Sequence, residues 1–133
     1  MEYCLDTSVC VEILRQGEQF KAIELNLSDC MLSSIVYFEL EYGIQKAPSK
    51  LKARLKERLQ LLLDNVQCLQ FDAEAATHAA NIRASLEKKG TPIGHFDTLI
   101  AGHARSQQLA IVTGNSWEFK RVPKLKVVPI EAA

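Results

Sequence analysis

The chain has 133 residues, 47% hydrophobic and 24% charged, which excludes a disordered chain and is enough for about one domain, taken here as residues 1–133. Lys plus Arg and Asp plus Glu balance at 16 each, so net charge shows no preference for nucleic acid or membrane, and no apolar run approaches the ~20 residues that span a bilayer. The opening MEYCLDTSVC lacks a basic start and carries Glu2 and Asp6, unlike a signal peptide, so a cytoplasmic location is expected. The four cysteines, Cys4, Cys10, Cys30 and Cys68, form no C-x-x-C pair and fall in apolar segments. They read as small core residues of a reduced protein rather than as a zinc or disulfide framework. In chain order, EYCLD is a short strand, and TSVCVEILRQ a helix with Thr7 or Ser8 as its cap. Residues 18–28 have helical character, and CMLSS is a second strand ending in a capping Ser33 or Ser34 for a helix to about Lys46. Pro48 opens another helix, with Leu51, Leu55, Leu59 and Leu62 at i, i+4, i+8 and i+11. VQCLQF is a third strand, and Asp72 caps a long helix that ends at Gly90. A helix from about Phe96, the strand LAIVT, the short turn or helix NSWEF and the strand KVVPI complete the chain. Strands alternating with helices predict a three-layer α/β/α sandwich around a mostly parallel sheet of four to five strands.

This layout makes four acids informative, because ligands in open α/β sheets bind beyond the carboxyl ends of the strands. Asp6 ends strand one, Glu39 lies in the helix after strand two, Asp97 opens the helix before strand four, and Glu118 follows strand four by five residues. Each has an ordinary reading by itself: a cap, a first-turn acid favoured by the helix dipole, or plain surface. Glu39 shares a helical face with Ile35, Val36, Tyr42 and Gly43, yet Glu41 is a rival that periodicity only weakly rejects. Two carboxylates ~5 Å apart repel by roughly 3 kcal/mol at an effective dielectric of about 20, so a cluster of four stays ionised only beside cations. Carboxylate oxygens and water suit Mg²⁺ or Mn²⁺. The three histidines, His78, His95 and His103, form no H-E-x-x-H pattern, which argues against a zinc hydrolase. Neither a G-x-x-x-x-G-K-[ST] loop nor a G-x-S-x-G elbow is present.

LDTS near the start, SSIVYFELEYG in the middle, GTPIGHFDTLIAGHA, and VTGNSWEFKRVPKLKV near the end together resemble the VapC-type toxins of the PIN-domain ribonuclease family. The resemblance runs through nearly the whole chain, and the block from Gly90 to Val127 is its most specific part. It implies a parallel-sheet α/β/α fold and an acidic, Mg²⁺- or Mn²⁺-binding centre that cuts RNA, leaving a 5′-phosphate and a 3′-hydroxyl. Matched by motif, Asp6, Glu39, Asp97 and Glu118 would be its catalytic and metal-holding acids, and this match selects Glu39 over Glu41. Thr7, Ser8 and Asn115 would position water or phosphate. Three positions depart from the pattern: Ser8 stands where many relatives carry Asn, Gly114 where an Asn-Asn pair is common, and His95 where Pro is frequent. Position 95 adds a group able to bring its own pH dependence if it touches the site.

RNA must also be held. Lys46, Lys50, Lys52, Arg54, Lys56 and Arg58 crowd one segment against a single acid, Glu57, with Lys50, Arg54 and Arg58 on one helical face. Lys120, Arg121, Lys124 and Lys126 form a second cluster just after Glu118. Either could track phosphates; Lys50, Arg54, Lys120 and Arg121 are the candidates, and a solvated surface is the plainer reading of the first cluster. Trp117 and Phe119 flank Glu118 and could stack on bases or simply pack. The resemblance further implies a VapB-type antitoxin whose C-terminal segment lines the groove and offers an Arg to the acids. It also implies a homodimer or a toxin–antitoxin hetero-oligomer, and a tRNA anticodon loop, initiator tRNA in particular, as substrate. Two other functions fit parts of the sequence: a PIN-fold domain that binds RNA or protein without catalysis, and a Mg²⁺-dependent phosphoacceptor. The second wants D-x-D-x-T or paired acids after strand one, and LDTSV supplies neither.

Overall fold

The computed structural model describes residues 2–16 and 26–130. Strand β1 (Tyr3–Leu5) leads into helix α1 (Thr7–Gln16); a single 3-10 turn, Leu27–Asp29, precedes β2 (Cys30–Ser33). Then come α2 (Ser34–Lys46), α3 (Ser49–Asn65), β3 (Gln67–Leu69), α4 (Ala73–Lys88) and α5 (His95–Ser106). β4 (Ala110–Thr113), α6 (Ser116–Phe119) and β5 (Val127–Pro129) end the described chain. The helix expected over 18–28 lies outside the described residues except for its last positions, which form the 3-10 turn.

The five strands make one parallel sheet in the order β3-β2-β1-β4-β5. The chain moves outward from β1 to β2 to β3, then crosses back to β4 on the far side of β1. Right-handed crossovers therefore place α1–α3 on one face and α4 with α5 on the other, and the packing agrees: α1, α2 and α3 touch one another, while α4 lies along α5. The reversal makes the gap between β1 and β4 a topological switch point, where a crevice opens beyond the strand ends. β1, β2 and β4 supply Cys4, Leu5, Met31, Leu32, Ile111 and Val112 to the core, all buried, as expected for central parallel strands covered on both faces.

Local signals fix most boundaries. Ser33 caps α2 by accepting the Ile35 N–H at 3.1 Å, and Asp72 caps α4 by accepting the Ala75 N–H at 2.9 Å. Gly90, at φ 71°, closes α4 as its left-handed residue, with Thr91 N–H reaching back to the Leu86 carbonyl. At the start of α1 the cap differs from expectation. Asp6, not Thr7 or Ser8, precedes the helix and supplies the carbonyl for Val9 and Cys10, because both hydroxyls are engaged with carboxylates. Cys4, Cys10 and Cys30 are buried as expected, whereas Cys68 is exposed: β3 is an edge strand and its outer side has no neighbour. In the leucine stripe of α3, Leu59 and Leu62 are buried, Leu55 is half-buried, and Leu51 stands at the exposed start of the helix.

Candidate active site

The crevice between β1 and β4 is built around Asp6. Its side chain is 1% exposed at the end of a central strand, and burial of a carboxylate demands hydrogen-bond donors. Three are present: Thr7 N–H donates to Oδ1 at 2.7 Å, and the Ser8 and Thr113 hydroxyls donate to Oδ2 at 2.9 and 2.6 Å. With two acceptor lobes on each oxygen, one lobe of Oδ1 stays free. Ser8 Oγ in turn accepts the Gly114 N–H at 3.0 Å, and Thr113 Oγ1 accepts the Asn115 N–H at 2.9 Å. The two loops that meet at the switch point are thus tied to each other through the acid between them.

Glu39 comes in from α2. Its Oε1 accepts the Thr7 hydroxyl at 2.6 Å, so the threonine after Asp6 bridges the first and second acids. This contact distinguishes Glu39 from Glu41, which periodicity alone had not settled. Asp97, in the first turn of α5, sits with its Oδ2 close over Gly94: a Cβ on that glycine would lie 3.3 Å from the oxygen. Glu118, on α6, adjoins Asp97. Burial first, then the adjoining Glu118 carboxyl and the negative charges of Asp6 and Glu39, push the Asp97 carboxyl from 3.8 up to about 7. Asp6, Glu39 and Glu118 therefore all act electrostatically on Asp97. Among the described residues the ion pairs are Arg15–Glu12 and Arg83–Glu87, both remote from this cluster and exposed. Among the described residues no basic side chain forms an ion pair with any of the four acids.

The same geometry tests the fit of a metal. Among the described residues no three His, Cys, Asp or Glu side chains stand in a ready-made ligand cage. Zinc, which wants a closed set of protein ligands, is ill served by this arrangement. A small hard cation that keeps part of its water shell and binds through one or two carboxylates is well served. The donor set, all oxygen and all anionic, fits Mg²⁺ or Mn²⁺.

The supporting residues divide. Thr7 and Ser8 commit their hydroxyl protons to carboxylates and so position the acids themselves. Asn115 is exposed and its side chain makes no cap bond to α6, so its amide is available to a ligand. His95 borders a small cavity with Arg83, Glu87, Ile93 and Thr98 at the end of α4. Of the basic candidates, Lys50 and Arg54 are exposed on α3, which packs on α1, α2 and β3. Arg58, on the same face, is committed to the Leu14 and Arg15 carbonyls. Lys120 is exposed beside α6, and Arg121 lies 5.2 Å over the Trp117 ring while donating to the Pro92 carbonyl at 3.0 Å. Trp117 is 62% exposed, whereas Phe119 is fully buried and belongs to the core.

Thr113 is the residue that sequence reasoning missed. Its signal was a polar side chain closing an otherwise apolar strand, LAIVT, at the sheet edge where the acids gather. A second buried polar pair, His103 Nδ1 and Ser33 Oγ at 2.7 Å, lies beneath the crevice with Phe71 edge-on to the imidazole. A cavity of about 1000 Å³ lies elsewhere: Glu2, Tyr3, Arg105, Ala110 and Lys126 place it at the amino ends of β1 and β4. It holds no acid cluster, and its central cation, Arg105, is engaged by His78, Asn81 and the Pro123 carbonyl. Size is a poorer guide to chemistry here than electrostatics.

Comparison with known proteins agrees with this geometry. The PIN domain family profile matches residues 3–125. The tRNA(fMet)-specific endonuclease VapC of Shigella flexneri is 38% identical over 95% of this chain and 96% of its own length. The Ribonuclease VapC2 of Rickettsia felis is 36% identical over 94% and 95%. Among solved structures, DNA-bound VapBC from Salmonella typhimurium superposes with a TM-score of 0.89 at 34% identity, covering 98% of this chain and 99% of the other. VapBC2 from Rickettsia felis, bound to a DNA fragment from the promoter, gives 0.88 at 32% identity over 98% and 100%. The chain belongs to the PIN-domain family, in its VapC-type branch.

Proposed function

We propose that the protein is a metal-dependent endoribonuclease, the toxin of a toxin–antitoxin pair. The observation that carries this reading is the convergence of Asp6, Glu39, Asp97 and Glu118 on the switch-point crevice, where among the described residues no basic side chain pairs with them and where burial, then the acidic neighbours, raise Asp97 to about 7. Asp6, Glu39, Asp97 and Glu118 would hold Mg²⁺ or Mn²⁺. When bound, such a cation activates water near neutral pH and offsets charge on the attacking and leaving oxygens of a phosphodiester. The chain's own groups do the rest. Thr7, Ser8 and Thr113 keep Asp6 and Glu39 oriented, and Asn115 offers an amide to water or phosphate. Asp97, raised to about 7, holds a proton that must leave when a cation arrives, so metal affinity should rise with pH. The products would be a 5′-phosphate and a 3′-hydroxyl.

The names of the relatives bring in substrate and partner. Relatives 38% and 36% identical are named tRNA(fMet)-specific endonucleases, which supports initiator tRNA as the substrate; the anticodon loop is the proposed place of the cut. Solved neighbours are VapBC complexes, which supports a VapB-type antitoxin and a homodimeric or hetero-oligomeric state. An antitoxin Arg reaching the four acids would supply the missing positive charge as a charge-assisted pair. Lys120 and Arg121, adjoining the acids, are the better candidates for phosphate contact, with Lys50 and Arg54 on α3 farther along a bound strand. Incubation of antitoxin-free protein with total bacterial tRNA, followed by sequencing of the fragment ends, tests the substrate. One cut in initiator tRNA is expected, and cuts scattered over many tRNAs would overturn that specificity.

A further inference from the structure

Outside the acids, the distribution of exposed aromatic side chains is the most informative feature of the surface. Phe38 is 51% exposed, Tyr42 55%, Phe96 45% and Trp117 62%. Phe38 immediately precedes Glu39, Phe96 precedes Asp97, and Trp117 precedes Glu118. Among the described residues every exposed aromatic ring lies on α2, α5 or α6, the three helices that carry these acids, whereas the exposed large aliphatic residues, Val11, Leu51 and Leu61, lie on α1 and α3.

Apart from Tyr37, also exposed on α2, the rings form two groups. On α2, Phe38 and Tyr42 are one turn apart and nearly coplanar in orientation, 9° between planes and 6.3 Å between centroids, and Phe96 of α5 leans against Phe38 at 5.6 Å. Lys46, one turn further, holds its ammonium 5.2 Å over the Tyr42 ring. On α6, Arg121 covers Trp117 at the same distance. Each group thus pairs an exposed π-face with a cation, next to carboxylates that bind phosphodiesters only through a metal. Exposed rings with Arg also suit a protein interface, but here each group adjoins the acids of the site and carries a cation on its ring, which favours a polyanion with flat bases. Unpaired bases are matched by rings, and the phosphates joining them by the cations at the ring edges.

We propose that Phe38, Tyr42 and Phe96, with Lys46, and Trp117, with Arg121, are stacking platforms for unpaired bases of the RNA strand on either side of the cleaved phosphate. The proposal rests on the ribonuclease reading and adds to it a requirement for single-stranded RNA. Because a stacked base touches its ring directly, the rings act in substrate binding, and their loss raises KM more than it lowers kcat.

Trp117 is the one tryptophan in the chain, so its fluorescence reports on the second platform without a label. Titration of the full-length protein in EDTA with a short mixed-sequence oligoribonucleotide should quench that fluorescence, and the same strand annealed to its complement should not. Phe38→Ala, Tyr42→Ala and Trp117→Ala are surface changes that should leave thermal unfolding unchanged. Each should weaken binding of a labelled oligoribonucleotide about tenfold or more and raise KM in the metal-loaded reaction, with Trp117→Phe restoring most of the loss. Unchanged KM and RNA affinity in the alanine variants, with wild-type cleavage intact, would overturn the platforms and leave the nuclease standing. Variants that lose self-association or antitoxin binding but keep RNA affinity would likewise overturn them, assigning the rings to a protein interface. Absence of cleavage by wild-type protein with any RNA would instead strike the underlying ribonuclease reading.

Discussion

Thr113 shows how much of the site depends on groups that never ionise. Its buried hydroxyl donates to Asp6 Oδ2 and accepts the Asn115 N–H. Thr113→Val preserves shape and removes both bonds, leaving a part-buried N–H unmet and Asp6 one donor short. Lost bonds of this kind cost about 1–3 kcal/mol, so the urea midpoint should fall accordingly and RNA cleavage with it, while Thr113→Ser should retain both. Two titrating groups impose opposite pH trends on the metal-free protein. Asp97 is raised from 3.8 to about 7, so the folded chain holds its proton more tightly than the unfolded chain. Its contribution to stability therefore declines as pH rises from about 4 to 7, and Asp97→Asn should remove that decline when urea midpoints are compared in EDTA across this range. His103 is lowered from 6.5 by burial, so the folded chain releases its proton more readily. Its stabilising contribution is complete above 6.5 and is lost as pH falls through the folded value; His103→Gln should flatten the acid side of the same profile.

At the scale of elements, the placement of Asp97 depends on how closely α5 approaches α4. A Cβ on Gly102 would lie 2.6 Å from the Ala79 Cα and 2.5 Å from its nitrogen, both backbone atoms. Gly102→Ala must therefore push the two helices apart. Overpacking of this kind costs about 1–3 kcal/mol, and a drop in thermal midpoint together with weaker Mn²⁺ binding is expected, because α5 also carries the acid. Gly43→Ala, which meets nothing within 4 Å, should be tolerated. The elements themselves were largely legible in the sequence: apolar runs marked β1, β2 and β4, and Ser33, Asp72 and Gly90 marked helix ends through chemistry that acts locally. What was not legible depended on tertiary placement. The exposure of Cys68 follows from β3 being an edge strand, the withdrawal of Arg58 from the α3 basic face follows from its bonds to α1, and the capping role of Asp6 follows from Glu39 engaging the Thr7 hydroxyl and the Asp6 carboxylate engaging that of Ser8.

For the whole molecule, strand order gathers the acids into one crevice. Residues 6, 39, 97 and 118 span most of the chain, and they meet because β1 and β4 are neighbours with their connections departing in opposite directions. The spacing of the acids along strands and helices placed them at one edge of the sheet, but Thr113 and the Thr7 bridge to Glu39 required the fold. Charge is balanced overall, so RNA affinity must come from local cations. Lys120→Ala should therefore reduce the slope of log affinity against log salt by about 0.7, the value of one phosphate contact on a single strand. The same change at Lys50 tests whether α3 lies on the RNA path.

The most direct measurement of the central claim is cleavage of RNA by the purified, antitoxin-free protein in Mg²⁺ or Mn²⁺, with fragment ends analysed chemically, beside EDTA and Asp6→Asn. Discrete fragments bearing 5′-phosphates are expected, abolished by EDTA and reduced by about a hundredfold or more in the variant, the scale on which removing a fixed electrostatic group slows an enzyme. Cleavage that persists in EDTA, or that survives Asp6→Asn unchanged, would contradict a metal-dependent reaction at the four-acid crevice.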